Sequence, residues 1–276
     1  MRIKIVTDSA ADLTSMDGID TAYAPMKVCT AEREFTDDDG INAREMVDFL
    51  YSYKGRSSSS CPNAEDWLTA FGDAEHIVCI TITGGLSGSY NSALSAKTIY
   101  ESDHPDRRVL VVDSLTAGPE MALMAERVRD LALEGKDLDE IEAGLKGYKT
   151  ELLFALESLR NFANNGRVSK AAAAAAGLLG IRAIGRASDV GTLELLSKTR
   201  GEAKTLDGLM NYLKELGCKG GKIFIDHCFA EETVSKLAAK IKTVYPSAEI
   251  VIRPTRGLCS FYAELGGFLV GFETDQ

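Results

Sequence analysis

Three times in the first half of the chain an apolar, β-branched run breaks off into small polar residues and then takes up a helical pattern: "RIKIVTDSAADL", "IVCITITGGLSGSYNSA" and "RVLVVDSLTAGPEMALMAERV". Strands covered on both faces read as continuous apolar runs, and successive strands joined through helices pair in parallel. The repeat therefore predicts a parallel βα layout. In the third unit Met121, Met124, Val128 and Leu131 recur at helical spacing, and Gly135 supplies a stop. A further helix, "DLDEIEAGLKGYK", keeps Leu138, Ile141, Leu145 and Tyr148 on one face. Open parallel sheets bind ligands beyond the carboxyl ends of their strands, so the three polar loops are expected to share one rim.

The pattern changes after about residue 152. "RVSKAAAAAAGLLG" predicts a helix, and "IRAIGR" and "TLELLSKTR" predict a hairpin turning through "ASDVG". Helices "TLDGLMNYLKEL" and "EETVSKLAAKIKTVY" then alternate with strands "KIFIDH", "EIVIRP" and "GGFLVGFE". The expectation is an α/β protein of two domains: residues 1–152 as an N-terminal, Rossmann-like domain on a parallel sheet, and residues 153–276 as a mixed α/β domain. No Pro- or Ser-rich linker separates them, which makes a cleft between packed domains the leading ligand site. "SSSSCPN" runs straight into the helical "PNAEDWLTAF" and reads as a structured loop.

Composition narrows the chemistry. A net charge of −10 argues against a nucleic-acid surface, because phosphate affinity comes from clustered Lys and Arg. The longest small-residue apolar stretch, "AAAAAAGLLGI", is far short of the roughly 20 residues that span a bilayer. "MRIKIVTDS" enters a strand without a signal-like apolar region, which reads as cytoplasmic. Six cysteines without a CxxC pair and three dispersed histidines, His76, His104 and His227, give no metal or disulfide pattern, and no cofactor is expected.

"GGLSGS" approaches the hydrolase elbow GxSxG, with Ser89 in place of the final glycine. Three readings of Ser87 stand side by side. It is a nucleophile if His104 or His227 reaches it, a helix cap, or one of several groups that a capped turn presents to an anionic ligand. No GxxxxGK[ST] motif supports nucleotide hydrolysis. A phosphotransfer protein of the dihydroxyacetone kinase type would need a histidine in a glycine-rich loop on the ligand rim, and none of the three stands in one. Arg167 in "NNGRVSK" reads as a surface ion pair, Asp8 and Asp113 as caps or loop braces, and Asp37, Asp38 and Asp39 as a solvated acidic turn.

Taken together, "VTDSAADL", "SSSSCPN", "GGLSGSYNSA", "VVDS", "NGRVSK" and "LCSFYAELGG" resemble, in order and spacing and over essentially the whole chain, the DegV family of bacterial fatty-acid-binding proteins. The resemblance implies a two-domain α/β protein that buries one long-chain fatty acid and presents its carboxylate to a fatty acid kinase. The kinase performs the phosphorylation, this chain is not an enzyme, and the arrangement leaves room for transient membrane contact. Carried over by position, Ser59 in "SSCP" matches the hydroxyl of the family's "TSQP", and Ser87 matches the serine of "LSGTY". Arg167 matches the arginine of "GGR[IV]SK", with Asn164 and Asn165 where Lys and Gly are usual, and Arg200 matches an arginine at the portal or partner surface. The chain departs from the family at Cys259, which stands where a histidine normally assists the head group, with Phe261 and Tyr262 replacing small residues of that turn. The competing reading is a serine hydrolase of acyl esters using Ser87.

Overall fold

The computed structural model describes residues 2–169 and 180–275, so the alanine run expected to be helical falls outside the described residues. Strands β1 (Ile3–Asp8) and β2 (Asp20–Ala24) belong to the first sheet, and β3 (Lys27–Cys29), β4 (Glu34–Thr36) and β5 (Ser58–Ser60) form a small separate one. Between β4 and β5 lies α1 (Ala43–Ser52), and α2 (Ala64–Phe71) follows. Next come β6 (His76–Thr81), α3 (Ser89–Asp103), β7 (Arg108–Asp113), α4 (Pro119–Leu133) and α5 (Leu138–Lys146). The first sheet runs β2-β1-β6-β7, parallel throughout.

The second half contributes β8 (Thr150–Leu156), α6 (Arg160–Asn164), β9 (Ile181–Ala187), β10 (Leu193–Arg200), α7 (Glu202–Glu215) and β11 (Cys218–His227). It ends with α8 (Glu231–Val244), β12 (Glu249–Pro254), α9 (Gly257–Ala263) and β13 (Phe268–Thr274). Its six strands are ordered β10-β9-β8-β13-β11-β12, with β11 and β12 parallel and the other neighbours antiparallel. The chain changes sheets between α5 and β8, so residues 150–152, grouped with the first domain in the sequence reading, pair in the second sheet.

The β-α plan holds at β6 and β7 but not at β1. After β1 a three-residue 3-10 turn, Ser9–Ala11, ends at Asp12 in the left-handed region (φ 51°), and β2 follows without a helix. The Asp8 side chain takes up the Ala10 N–H and stabilises the turn in place of a helical start. Capping explains the helices that do form. Asn63 with Asp66 and Asp137 with Glu140 make reciprocal capping boxes at α2 and α5.

α4 joins the two halves. Met121, Ala125 and Val128 pack with Ile5, Val78 and Ile80 of the parallel sheet, while Ala122 and Leu123 pack on Phe224 of the second. Periodicity identified only the first of these faces. The helix start lies so close to β13 that a Cβ at Gly271 would sit 2.7 Å from Glu120 N, so glycine is required there. Of the acidic turn expected to be solvated, Asp38 and Asp39 are exposed as expected, but Asp37 is only 1% exposed. Its carboxylate accepts from Gly257 N (2.9 Å) and Leu258 N (2.8 Å) at the start of α9, and the Arg256 guanidinium lies 3.6 Å away. Two orphan amides and a cation hold a carboxylate that water would otherwise claim.

Candidate functional site

Along β8 the side chains alternate. Leu153 and Ala155 enter the core beneath α7 and α8, whereas Leu152, Phe154 and Leu156 face the parallel sheet's loop rim and line a cavity of about 250 Å³. Leu193 of β10 and Leu269 of β13 extend this apolar wall, and Ile82 and Leu258 close it from the other side. The cavity lies between the two sheets. Ser59, Ser87, Arg167 and Cys259 all line it, so the four site residues expected from the sequence converge on one space. Arg200 ends β10 at the far end of the hairpin, is exposed and is not part of this wall.

Ser59 is placed by β5, where it pairs with Val28, and its Oγ lies 2.8 Å from the Tyr262 hydroxyl. Tyr262 belongs to the α9 turn, and its ring lies against Phe162 at 4.5 Å between centroids. Burial pushes its phenol upward in pKa, opposed by the Ser59 hydrogen bond and the Arg167 charge.

Ser87 precedes α3. Its Oγ accepts from Ser89 N at 3.2 Å, and the Ser89 hydroxyl donates to Asp8 Oδ2 at 2.6 Å. Asp8 also takes the Ile82 N–H at 2.8 Å, fixing both ends of the loop to the end of β1. The buried Asp8 carboxyl is raised to about 6, because desolvation outweighs these hydrogen bonds. The first two of the loop's three glycines have separate causes. Gly84 N donates to Asp113 Oδ1 at 3.0 Å, and a Cβ there would lie 2.8 Å from Asp113 Oδ2. At Gly85 a Cβ would come within 2.8 Å of Gly191 O, in the β9–β10 turn that Thr83 Oγ1 grips by donating to that same carbonyl at 2.8 Å.

Arg167 is not the surface ion pair its sequence context suggested. Its Nε donates to Leu86 O at 3.0 Å and its Nη1 to Asn165 O at 2.6 Å, which holds the guanidinium beside the Ser87 loop. Cys259 lines the cavity but directs its thiol at Ala10 O, 3.3 Å away. Burial together with the charges of Asp12 and Asp226 pushes that thiol far up in pKa, so it stays neutral.

Neither histidine considered as a base for Ser87 lines the cavity. His104 follows the last turn of α3, and 15 residues at about 1.5 Å each separate it from the Ser87 end by roughly 22 Å. His227 Nδ1 accepts from Ala230 N at 3.2 Å, and burial lowers its pKa. Among the described residues no group of three His, Cys, Asp or Glu side chains is placed to hold a metal, and no helix is long and apolar enough to cross a membrane. Asp8 is the cap and loop brace expected of it, with Ser89 as the partner the sequence did not name, whereas Tyr262 was missed as a cavity hydroxyl. The departure at the α9 turn was the one signal for that hydroxyl.

Known proteins with this arrangement are close relatives. The model of the DegV family, described as an uncharacterised protein family, matches residues 2–275. A DegV domain-containing protein of Streptococcus pneumoniae is 41% identical over 281 residues and covers 100% of both chains. A DegV family protein from Eubacterium eligens, solved loaded with heptadecanoic acid, superposes with a TM-score of 0.97 at 41% identity, covering 99% of this chain and 100% of that one. The Streptococcus pneumoniae fatty acid kinase (Fak) B3 protein, loaded with linoleic acid, gives 0.96 at 41% identity over 100% of each chain. With its whole length matched and both sheets superposed, the chain belongs to the DegV family.

Proposed function

We propose that this protein binds one long-chain fatty acid, holding the tail on the apolar wall and the carboxylate at Ser59, Ser87 and Arg167, and presents that carboxylate to a fatty acid kinase. The observation that carries the reading is the convergence of the Ser59 and Ser87 hydroxyls and the Arg167 guanidinium on the lining of a predominantly apolar cavity. A tail of about fourteen methylenes gains roughly 0.8 kcal/mol for each one buried, an upper bound near 11 kcal/mol before ordering costs. The tail thus supplies affinity. An unpaired carboxylate in a dry pocket costs several kcal/mol, which hydroxyl donors, the amides opening α3 and a nearby guanidinium offset. The head supplies orientation.

The acids carried by the Eubacterium eligens and Streptococcus pneumoniae proteins support the ligand class. The kinase in the latter's name supports the partner. In this reading the chain is non-catalytic, since Ser87 Oγ meets the Ser89 amide and neither His104 nor His227 lines the cavity. In this reading contact with a membrane is transient.

Mass spectrometry of organic extracts of the purified protein tests this. Fatty acid near one equivalent per chain, with no turnover of nitrophenyl esters, is expected. Protein that neither carries nor takes up long-chain acids would overturn the carrier reading, and Ser87-dependent ester cleavage would replace it with a hydrolase.

A further inference from the structure

We propose that Tyr262 is a selectivity residue of this cavity: its phenol donates to Ser59 Oγ and thereby turns the Ser59 proton toward the ligand, which favours a carboxylate over an alcohol. The inference rests on the fatty-acid reading above and concerns only what the polar end recognises.

The hydroxyls of Ser59 and Tyr262 lie 2.8 Å apart, and either can donate. The ligand decides the direction. An ionised carboxylate only accepts, so a serine whose single proton went to Tyr262 would offer it lone pairs alone. A phenol is the more acidic hydroxyl and the better donor, and the order Tyr262 to Ser59 to carboxylate leaves no proton misdirected. Such a chain also polarises each bond in it. Ser87 is built the same way: the Ser89 amide occupies one of its lone pairs, leaving its proton free to point into the cavity.

Tyr262 can hold this direction because its ring is fixed from several sides. Phe162 lies against one face and Phe261 meets it edge-on at 4.8 Å. Asn161 Nδ2 donates to Phe261 O at 2.7 Å and fixes the backbone of the same turn. Cys259, the other polar side chain that α9 brings to the cavity beside Tyr262, directs its thiol at Ala10 O. The phenol therefore supplies the donor from that wall. In its absence the Ser59 hydroxyl rotates between donor and acceptor settings. A carboxylate loses by this, whereas an alcohol, able to donate or accept, does not.

Delipidated wild type, Tyr262→Phe, Ser59→Ala and the double variant are titrated calorimetrically with myristic acid and with 1-tetradecanol. Tyr262→Phe keeps the ring and its stacking, so tetradecanol binding doubles as the check on folding. The expected result is a roughly tenfold loss of myristate affinity in Tyr262→Phe, the worth of one hydrogen bond to a charged system, with tetradecanol unchanged within about twofold. Adding Tyr262→Phe to Ser59→Ala should cost nothing further. Wild-type myristate affinity in Tyr262→Phe, or equal weakening of acid and alcohol, overturns the assignment while leaving the fatty-acid reading intact. Failure of wild type to bind either ligand overturns both.

Discussion

Asp8 Oδ2 accepts the Ser89 hydroxyl at 2.6 Å across 81 positions of sequence, joining the end of β1 to the first residue of α3. Since Ser89 N in turn holds Ser87 Oγ, the buried carboxyl sets where the cavity's serine points. Its pKa is raised from 3.8 to about 6, so the folded state retains this proton over a window in which the unfolded chain has lost it. The contribution to stability is therefore complete below pH 3.8 and is lost as pH rises through about 6. Two pKa units correspond to about 3 kcal/mol. Urea unfolding from pH 4 to 7.5 should show this decline in wild type, and Asp8→Asn, which stays neutral, should flatten it by about that amount. Parallel profiles for the two proteins would show that Asp8 titrates normally.

In the proposed carrier role, replacing Ser87 by Ala removes a donor to the carboxylate, an interaction worth about 1.5–3 kcal/mol. The dissociation constant for palmitate should rise by roughly ten- to a hundredfold. Arg167→Ala is predicted to act differently. Its guanidinium fixes Leu86 O and Asn165 O beside the Ser87 loop, so on the proposed function its loss should reduce phosphorylation by a fatty acid kinase more than it reduces tail binding. Equilibrium dialysis and a coupled kinase assay on the same preparations separate the two effects. Full coupling in both variants would remove these residues from the head-group site.

The parallel and mixed halves were legible because burial on both faces leaves continuous apolar runs, as in "HIVCIT", and because the "ASDVG" turn announces the β9–β10 hairpin. Ser59 and Ser87, which line the cavity, stand in the short stretches "SSCP" and "LSGS" that carry the family resemblance. What escaped was set by partners distant in sequence. Asp37 looked solvated because its neighbours are acidic, yet the amides that bury it come from residues 257 and 258. The second buried face of α4 escaped because Ala122 and Leu123 meet Phe224 about a hundred positions away. Tyr262 escaped as a cavity hydroxyl for the same reason, since nothing near residue 59 foretells a phenol brought by α9.

Glu120 gives a second, independent titration. It is buried at the start of α4, accepts from Thr116 Oγ1 (2.5 Å) and Thr150 Oγ1 (2.8 Å), and desolvation raises it from 4.5 to about 7. By the same sign rule its stabilising contribution is present below pH 4.5 and disappears as pH rises through about 7. Glu120→Gln retains one acceptor, and either threonine hydroxyl can accept from the new amide. The variant should match wild type at pH 4.5 and exceed it by up to about 3 kcal/mol at pH 8.5. Chemical denaturation at the two pH values checks this, and a gain at both would mean that packing rather than charge is responsible.

The grip between the halves can be tested at a single glycine. Gly191 has φ 72°, and a Cβ there would overlap the Thr83 hydroxyl that donates to its carbonyl. Gly201, at the other end of the same hairpin, has φ 84° but nothing within 4 Å of its Cβ position. Both substitutions to alanine incur the cost of a positive-φ backbone, about 1–3 kcal/mol. Only Gly191→Ala adds an overlap, worth a further 1–3 kcal/mol if the turn stays in place. Should the turn lift away instead, that strain is relieved and the cavity loses the Gly191 and Thr192 part of its wall, so the bound acid should dissociate faster. Stopped-flow release of a fluorescent fatty acid reads this directly: faster release in Gly191→Ala, with Gly201→Ala close to wild type, is the expected pattern. Equal release rates would mean that the hairpin tip does not cover the ligand.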